Sequence, residues 1–305
     1  MTTDLDWQTV PVGANDLHLV DATVQRIAIA LGRLIAGIRA NGPGEGSRAA
    51  ADLASPLNIQ SSDGSTHLAH AQASAWIACL AGADHMLAFA AGIRDGRTVS
   101  NWTLARGALE AFARARYLLG AEGDDTGALL GRSIALARAE MRYATEPGQM
   151  ATREGGPLDV DEYRAQLTRM LAELEVDEPK APGATKLTTD LLDETAPDAG
   201  GRRRYSQLSA AAHAESAGIQ MFMTAEQDAL SMSRPLVLEV THMQTACCLF
   251  LGDILVAYFT PDPDVTKRWE GERNAVLRDT WEHAGVTIDE HGRPVYPDHV
   301  EAAEN

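Results

Sequence analysis

Four groups of residues in this chain have types and spacings that chemistry could use. Arg106, Glu110 and Arg114 recur every four positions, so on a helix they stack along one face with the carboxylate between two guanidinium groups. A carboxylate held that way stays ionised, which suits it to orienting another group rather than to donating a proton, while Arg106 could anchor an anion. Tyr205, Ser209 and His213 repeat the spacing with a phenol, a hydroxyl and an imidazole. His213 could act there as a base or a ligand, and Glu110 is its expected partner. No strained turn or oxyanion motif accompanies Ser209, so the trio does not read as a nucleophilic triad. Glu239 and His242 have the Glu-x-x-His spacing of di-iron carboxylate bundles. A divalent metal there would need more carboxylates or imidazoles, for which Glu110, Glu140, His213 and Asp253 are the available residues. Arg278 and His283, finally, fit the Arg-x4-6-His pattern of HEPN ribonucleases, a spacing that recurs by chance in a chain so rich in arginine.

The elements that must position these residues are helices. Asp16 to Ala40 carries apolar residues at Leu17, Val20, Val24, Ile27, Leu31, Leu34, Ile35 and Ile38, the period of an amphipathic helix. Residues 41–64 are rich in Gly, Ser, Ala and Pro and predict a long loop. Helices follow over 65–94, 100–119 and 126–145. Asp159-Val-Asp-Glu162 forms a capping signal before another that reaches about Val176. Arg202 to Gly218 and Ser233 to Thr260 predict two more, and Asp264 caps a last one ending near Ala284. His67, His70, Ser74 and His85 share a stripe of the second helix. His85 lies about 22 Å along the axis from His70, so the three imidazoles cannot hold one ion. Asp124-Asp125 and Asp190 to Glu194 are an incomplete version of the magnesium-binding acids of terpene synthases.

The sequence therefore predicts an all-α fold: a single-domain bundle of about eight helices with an irregular acidic insert. Its organisation reads as a leader over 1–15, a helical domain over 16–284 with a mobile connection or lid at 177–201 that holds one or two helical turns at 188–195, and an acidic tail over 285–305. Net charge is −17. Residues 153–198 hold −7 and residues 282–305 hold −5, which leaves only −5 for the rest. This balance argues against a nucleic-acid partner, since that affinity comes from neutralising phosphates. Cys79, Cys247 and Cys248 fit neither a disulfide framework nor a CxxC metal site, and the amino terminus lacks a basic and apolar leader, so a cytoplasmic setting is expected. The apolar segment Leu236 to Phe259 is interrupted by Glu239, His242, Gln244 and Asp253 and reads as a core helix, not a membrane span.

Arg106-x3-Glu110-x3-Arg114 with Leu118-Leu119, followed by Tyr205-x2-Leu208-Ser209-x3-His213, resembles a family of uncharacterised all-helical proteins common in actinobacteria. The resemblance spans about Thr98 to Thr260 and implies an α-helical fold, with no activity or cofactor to carry over. From the residues themselves the expected function is binding or catalysis on a small or anionic molecule at a polar interhelical site. Arg106 would be the anchor, Glu110 the orienter and His213 the base or ligand, with Tyr205 and Ser209 beside them. Two other readings are an interaction protein that forms a homo-oligomer through an Ala-rich helix face, and the HEPN-like ribonuclease.

Overall fold

A computed structural model describes residues 13–60, 66–120, 124–141, 149–151, 157–177, 179–195, 201–215, 220, 222, 234–284, 287–288 and 294–295. The expected leader, most of the expected tail, and Ser216, Gly218 and Ser233 lie outside them. The fold is all-α. Among the described residues it has ten helices: α1 (Ala14–Asn41), α2 (Arg48–Ala54), α3 (His67–Arg94), α4 (Val99–Leu119), α5 (Thr126–Glu140), α6 (Val160–Glu173), α7 (Ala184–Thr195), α8 (Gly201–Ala212), α9 (Arg234–Phe259) and α10 (Pro263–Ala284). Two short antiparallel ribbons accompany them, β1 (Gln149–Ala151) with β2 (Pro157–Asp159), and β3 (Thr287–Ile288) with β4 (Pro294–Val295).

Sequence signals account for most boundaries. Asp16 accepts the Gly13 N–H at 3.1 Å to open α1, and Gly42 closes it at φ 72°. Asp125 accepts from Ala128 N at 2.7 Å to cap α5, and Asp159 accepts from the backbone of Asp161 and Glu162, both at 2.9 Å, to cap α6. The apolar stripe of α1 is buried as its period requires, from Val20 through Ile38.

α4 lies at the centre, packed against α3, α5, α7, α8 and α9. Its Ala105, Ala108, Ala113 and Ala115 are fully buried or nearly so. These alanines are covered by the neighbouring helices of the same chain. α3 and α4 run antiparallel at close range because glycines stand where side chains would collide. A Cβ at Gly82 would lie 2.5 Å from the Phe112 ring. Phe89 meets Trp102 edge-on and Trp102 lies tilted against Phe222, at centroid separations of 6.4 and 5.2 Å.

Among the described residues there are ten helices against the expected eight or so: α2 is additional, and α7 is longer than the one or two turns expected at 188–195. α2 occupies the expected loop of residues 41–64: Ser47 caps it by accepting from Ala50 N at 3.1 Å, and Asp52 is buried. α7 occupies the middle of the expected connection at 177–201, where Thr188, Leu191 and Leu192 are buried against the bundle. By length and composition α3 and α9 could each cross a membrane; here half or more of each apolar window is buried inside the bundle.

Candidate functional site

The face predicted on α4 meets the face predicted on α8. Arg106 Nε donates to Glu110 Oε1 at 2.6 Å, one turn apart, and the Tyr205 hydroxyl donates to the same oxygen at 2.5 Å. Arg106 Nη1 stands 2.7 Å from His213 Nε2, and its guanidinium carbon lies 5.6 Å from the centre of the Tyr205 ring. Arginine is only a donor, so His213 Nε2 must accept, which fixes the neutral imidazole with its proton on Nδ1. Burial pulls the Arg106 guanidinium down, but the hydrogen bond and charge of Glu110, helped by Tyr205, outweigh it and leave it raised. Burial and the Glu110 carboxylate push the Tyr205 phenol up against the opposing charge of Arg106, so it remains a donor.

Local structure explains why His213 is placed there. It is the C-cap of α8: the Ala214 N–H bonds Ala211 O at 3.0 Å and the Glu215 N–H bonds Ala210 O at 2.9 Å, the paired bonds of a Schellman turn. Ala214 takes the left-handed position at φ 54°. The chain therefore reverses just after His213, leaving its ring exposed beside Arg106.

Three expectations need correction. Arg114 does not flank Glu110; it pairs with Glu140 of α5, so Glu110 sits between one guanidinium and one phenol. His213 meets Arg106 and not Glu110, whose Oε1 is already shared by two donors. Ser209 contributes its carbonyl, which accepts the His213 N–H at 3.0 Å.

The other groups do not join this cluster. Glu239 pairs with Arg204 of α8. Burial raises its pKa while Arg204 and Arg203 oppose the shift. His242 is exposed. Among the described residues no three His, Cys, Asp or Glu side chains gather as a metal would require, so the expected Glu239 and His242 site lacks a ligand set. Asp253 is engaged by Trp269 Nε1 at 2.8 Å and Arg273 Nη1 at 2.9 Å. His85 packs over Gly107, away from His67 and His70, which line a small hollow of about 100 Å³ with Arg114 and Glu140. Arg278 is exposed on α10, and the side chain of His283 lies outside the described residues. The acids that suggested terpene synthases have other duties: Asp124 pairs with Arg132, Asp125 caps α5, Asp190 pairs with Lys186 and Glu194 pairs with Arg116.

One polar network was not anticipated. Asp52 of α2, 2% exposed, accepts from the Tyr258 hydroxyl and from Thr126 Oγ1 at 2.7 Å, and Gln72 Nε2 lies 3.3 Å from the same phenol. Ser47 before an alanine run was the available signal for α2, but nothing local pointed to Tyr258. Comparisons with known protein families, curated proteins and solved structures each returned no match.

Proposed function

We propose that the protein binds a small organic anion at the Arg106 and His213 end of the α4 and α8 contact. The observation that carries this reading is the way the guanidinium is held. Nε is fixed by Glu110 at 2.6 Å, Nη1 by a neutral His213 at 2.7 Å, and the Tyr205 ring lies alongside. The Nη2 edge makes no hydrogen bond among the described residues, and the Arg106 side chain is 21% exposed. That edge offers a donor for a carboxylate or phosphate, with the exposed His213 ring beside it. Glu110 and Tyr205 orient the arginine and do not touch the ligand.

This arrangement favours binding over proton abstraction. The imidazole nitrogen able to take a proton is occupied by Arg106, and the other already carries one. His213 in this reading positions Arg106 and is not a base.

Succinate and inorganic phosphate, titrated against the full chain with chloride at matched ionic strength, test the idea. The parent should show an anion-dependent rise in Tm that Arg106→Gln removes and His213→Ala weakens. If both variants keep the full response of the parent, the assignment is wrong.

A further inference from the structure

The outer side of α3 is apolar where a surface helix ordinarily carries charge. Asp84 is the only Asp, Glu, Lys or Arg between Leu68 and Ile93. Neighbouring helices, chiefly α1 and α4, cover the other sides of α3, yet Ile77 remains 53% exposed. Ala81 and Ala88 are exposed with it, and Trp76, Leu80 and Leu87 are only partly buried. The alanines of α4 have helices against them; these outward alanines of α3 have none.

Spacing gives this face a register. His70, Ile77, Asp84 and Ala91 recur every seven residues, with Ala73, Leu80 and Leu87 beside them at the same interval, the pattern of a seam between two helices. A straight helix drifts about 20° per heptad, which a left-handed crossing of about 20° takes up. His70 and Asp84 are both exposed and make no hydrogen bond or ion pair among the described residues. They stand seven residues to either side of Ile77. A second α3 laid antiparallel about a twofold axis at Ile77 therefore brings each Asp84 to His70 of the partner subunit, while the small Ala73 and Ala81 flank the central contact. A parallel pair in register would set Asp84 against its own copy.

The face is also large enough. From Ala69 to Ala91 it runs about 33 Å. The Arg94 to Asp21 ion pair at 3.0 Å and the Arg39 to Trp76 stack at 4.9 Å hold α1 antiparallel beside α3 and put Ile29, 44% exposed, level with Leu87. Two adjacent helices present a width of about 20 Å, so each copy can bury roughly 650 Å² and the pair about 1,300 Å², within the range of specific interfaces. Arg39 and Arg94 border the patch on the α1 side and His85 borders it over Gly107 of α4, a polar rim around an apolar centre. A lipid surface would leave Asp84 on the midline of the contact with nothing to neutralise it. A second copy supplies His70.

We propose that two copies of this chain associate through α3, antiparallel about a twofold axis at Ile77, with Asp84 of each against His70 of the partner subunit.

Sedimentation velocity of the full chain from about 1 to 100 μM should show a monomer passing into a dimer. Ile77→Asp sets two carboxylates together on the axis and should weaken association about tenfold, while the circular dichroism and Tm of the dilute monomer stay unchanged because the side chain is exposed. His70→Glu and Asp84→Arg should each weaken it about fivefold, and the double variant should return to within about twofold of the parent. The two positions lie about 21 Å apart along one helix, so that recovery can arise only between copies. The proposal is overturned if the chain stays monomeric over this range, if Ile77→Asp leaves the dimer intact, if the double variant associates as weakly as the single ones, or if the monomer instead co-sediments with phosphatidylcholine vesicles.

Discussion

Tyr205→Phe isolates one bond of the α4 and α8 contact. The phenol is 2% exposed and donates at 2.5 Å to Glu110, a carboxylate that also holds Arg106. The substitution keeps the ring and its place over the guanidinium and removes only the hydroxyl. A hydrogen bond to a charged group contributes about 1.5–3 kcal/mol, and Glu110, with its side chain 29% exposed, recovers part of its solvation from water. We expect a loss of about 1.5 kcal/mol. Urea unfolding followed by circular dichroism should show a lower midpoint with an unchanged slope. Glu110→Gln completes a double-mutant cycle, in which the two changes should couple by about 1 kcal/mol because they share the bond. A neutral or stabilising Tyr205→Phe, or effects that add to within about 0.3 kcal/mol, would refute the claim that this bond fastens the two helices.

Three further outcomes test other parts of the fold. Burial and the bond to Asp52 raise the Tyr258 pKa well above the ordinary phenol value of 10.0, so its stabilisation is complete below about pH 10 and is lost as pH climbs through the raised folded value. Across an alkaline series Tyr258→Phe should start less stable than the parent and converge on it; parallel curves would contradict the assignment. Gly82→Ala drives a methyl against the Phe112 ring and should cost about 1–3 kcal/mol in urea unfolding. Glu175→Gly should stabilise the chain without ligand by about 1 kcal/mol by removing the left-handed strain, and a loss of stability would show that Glu175 makes a compensating contact.

Much of the fold could be read from periodicity, because α1, α3, α4 and α9 each carry enough apolar residues to declare a helix. The bond between Arg106 and Glu110 was legible for the same reason: one turn separates them on a continuous helix. The choice Arg114 makes was not, since it depends on how α5 presents Glu140. α2 was missed, and α7 was legible only as a turn or two at 188–195, because both are short and bounded by Gly, Pro or acidic stretches. Burial holds them in place, and a local pattern does not record what a segment will be buried against. The cleft between Leu57, Asp125 and Val176 could not be read from the sequence because its walls come from four separated parts of the chain.

The bonds of Asp52 bear on how the molecule opens. A helix of seven residues would ordinarily fray on its own, yet this one is tied to Thr126, 74 residues away, and to Tyr258, 206 residues away. Releasing α2 means detaching its carboxylate from two elements of the bundle and leaving the buried Tyr258 hydroxyl without its acceptor. Its amide protons should therefore exchange with the slow, global population rather than with surface turns, and α2 should settle only after α9 has docked.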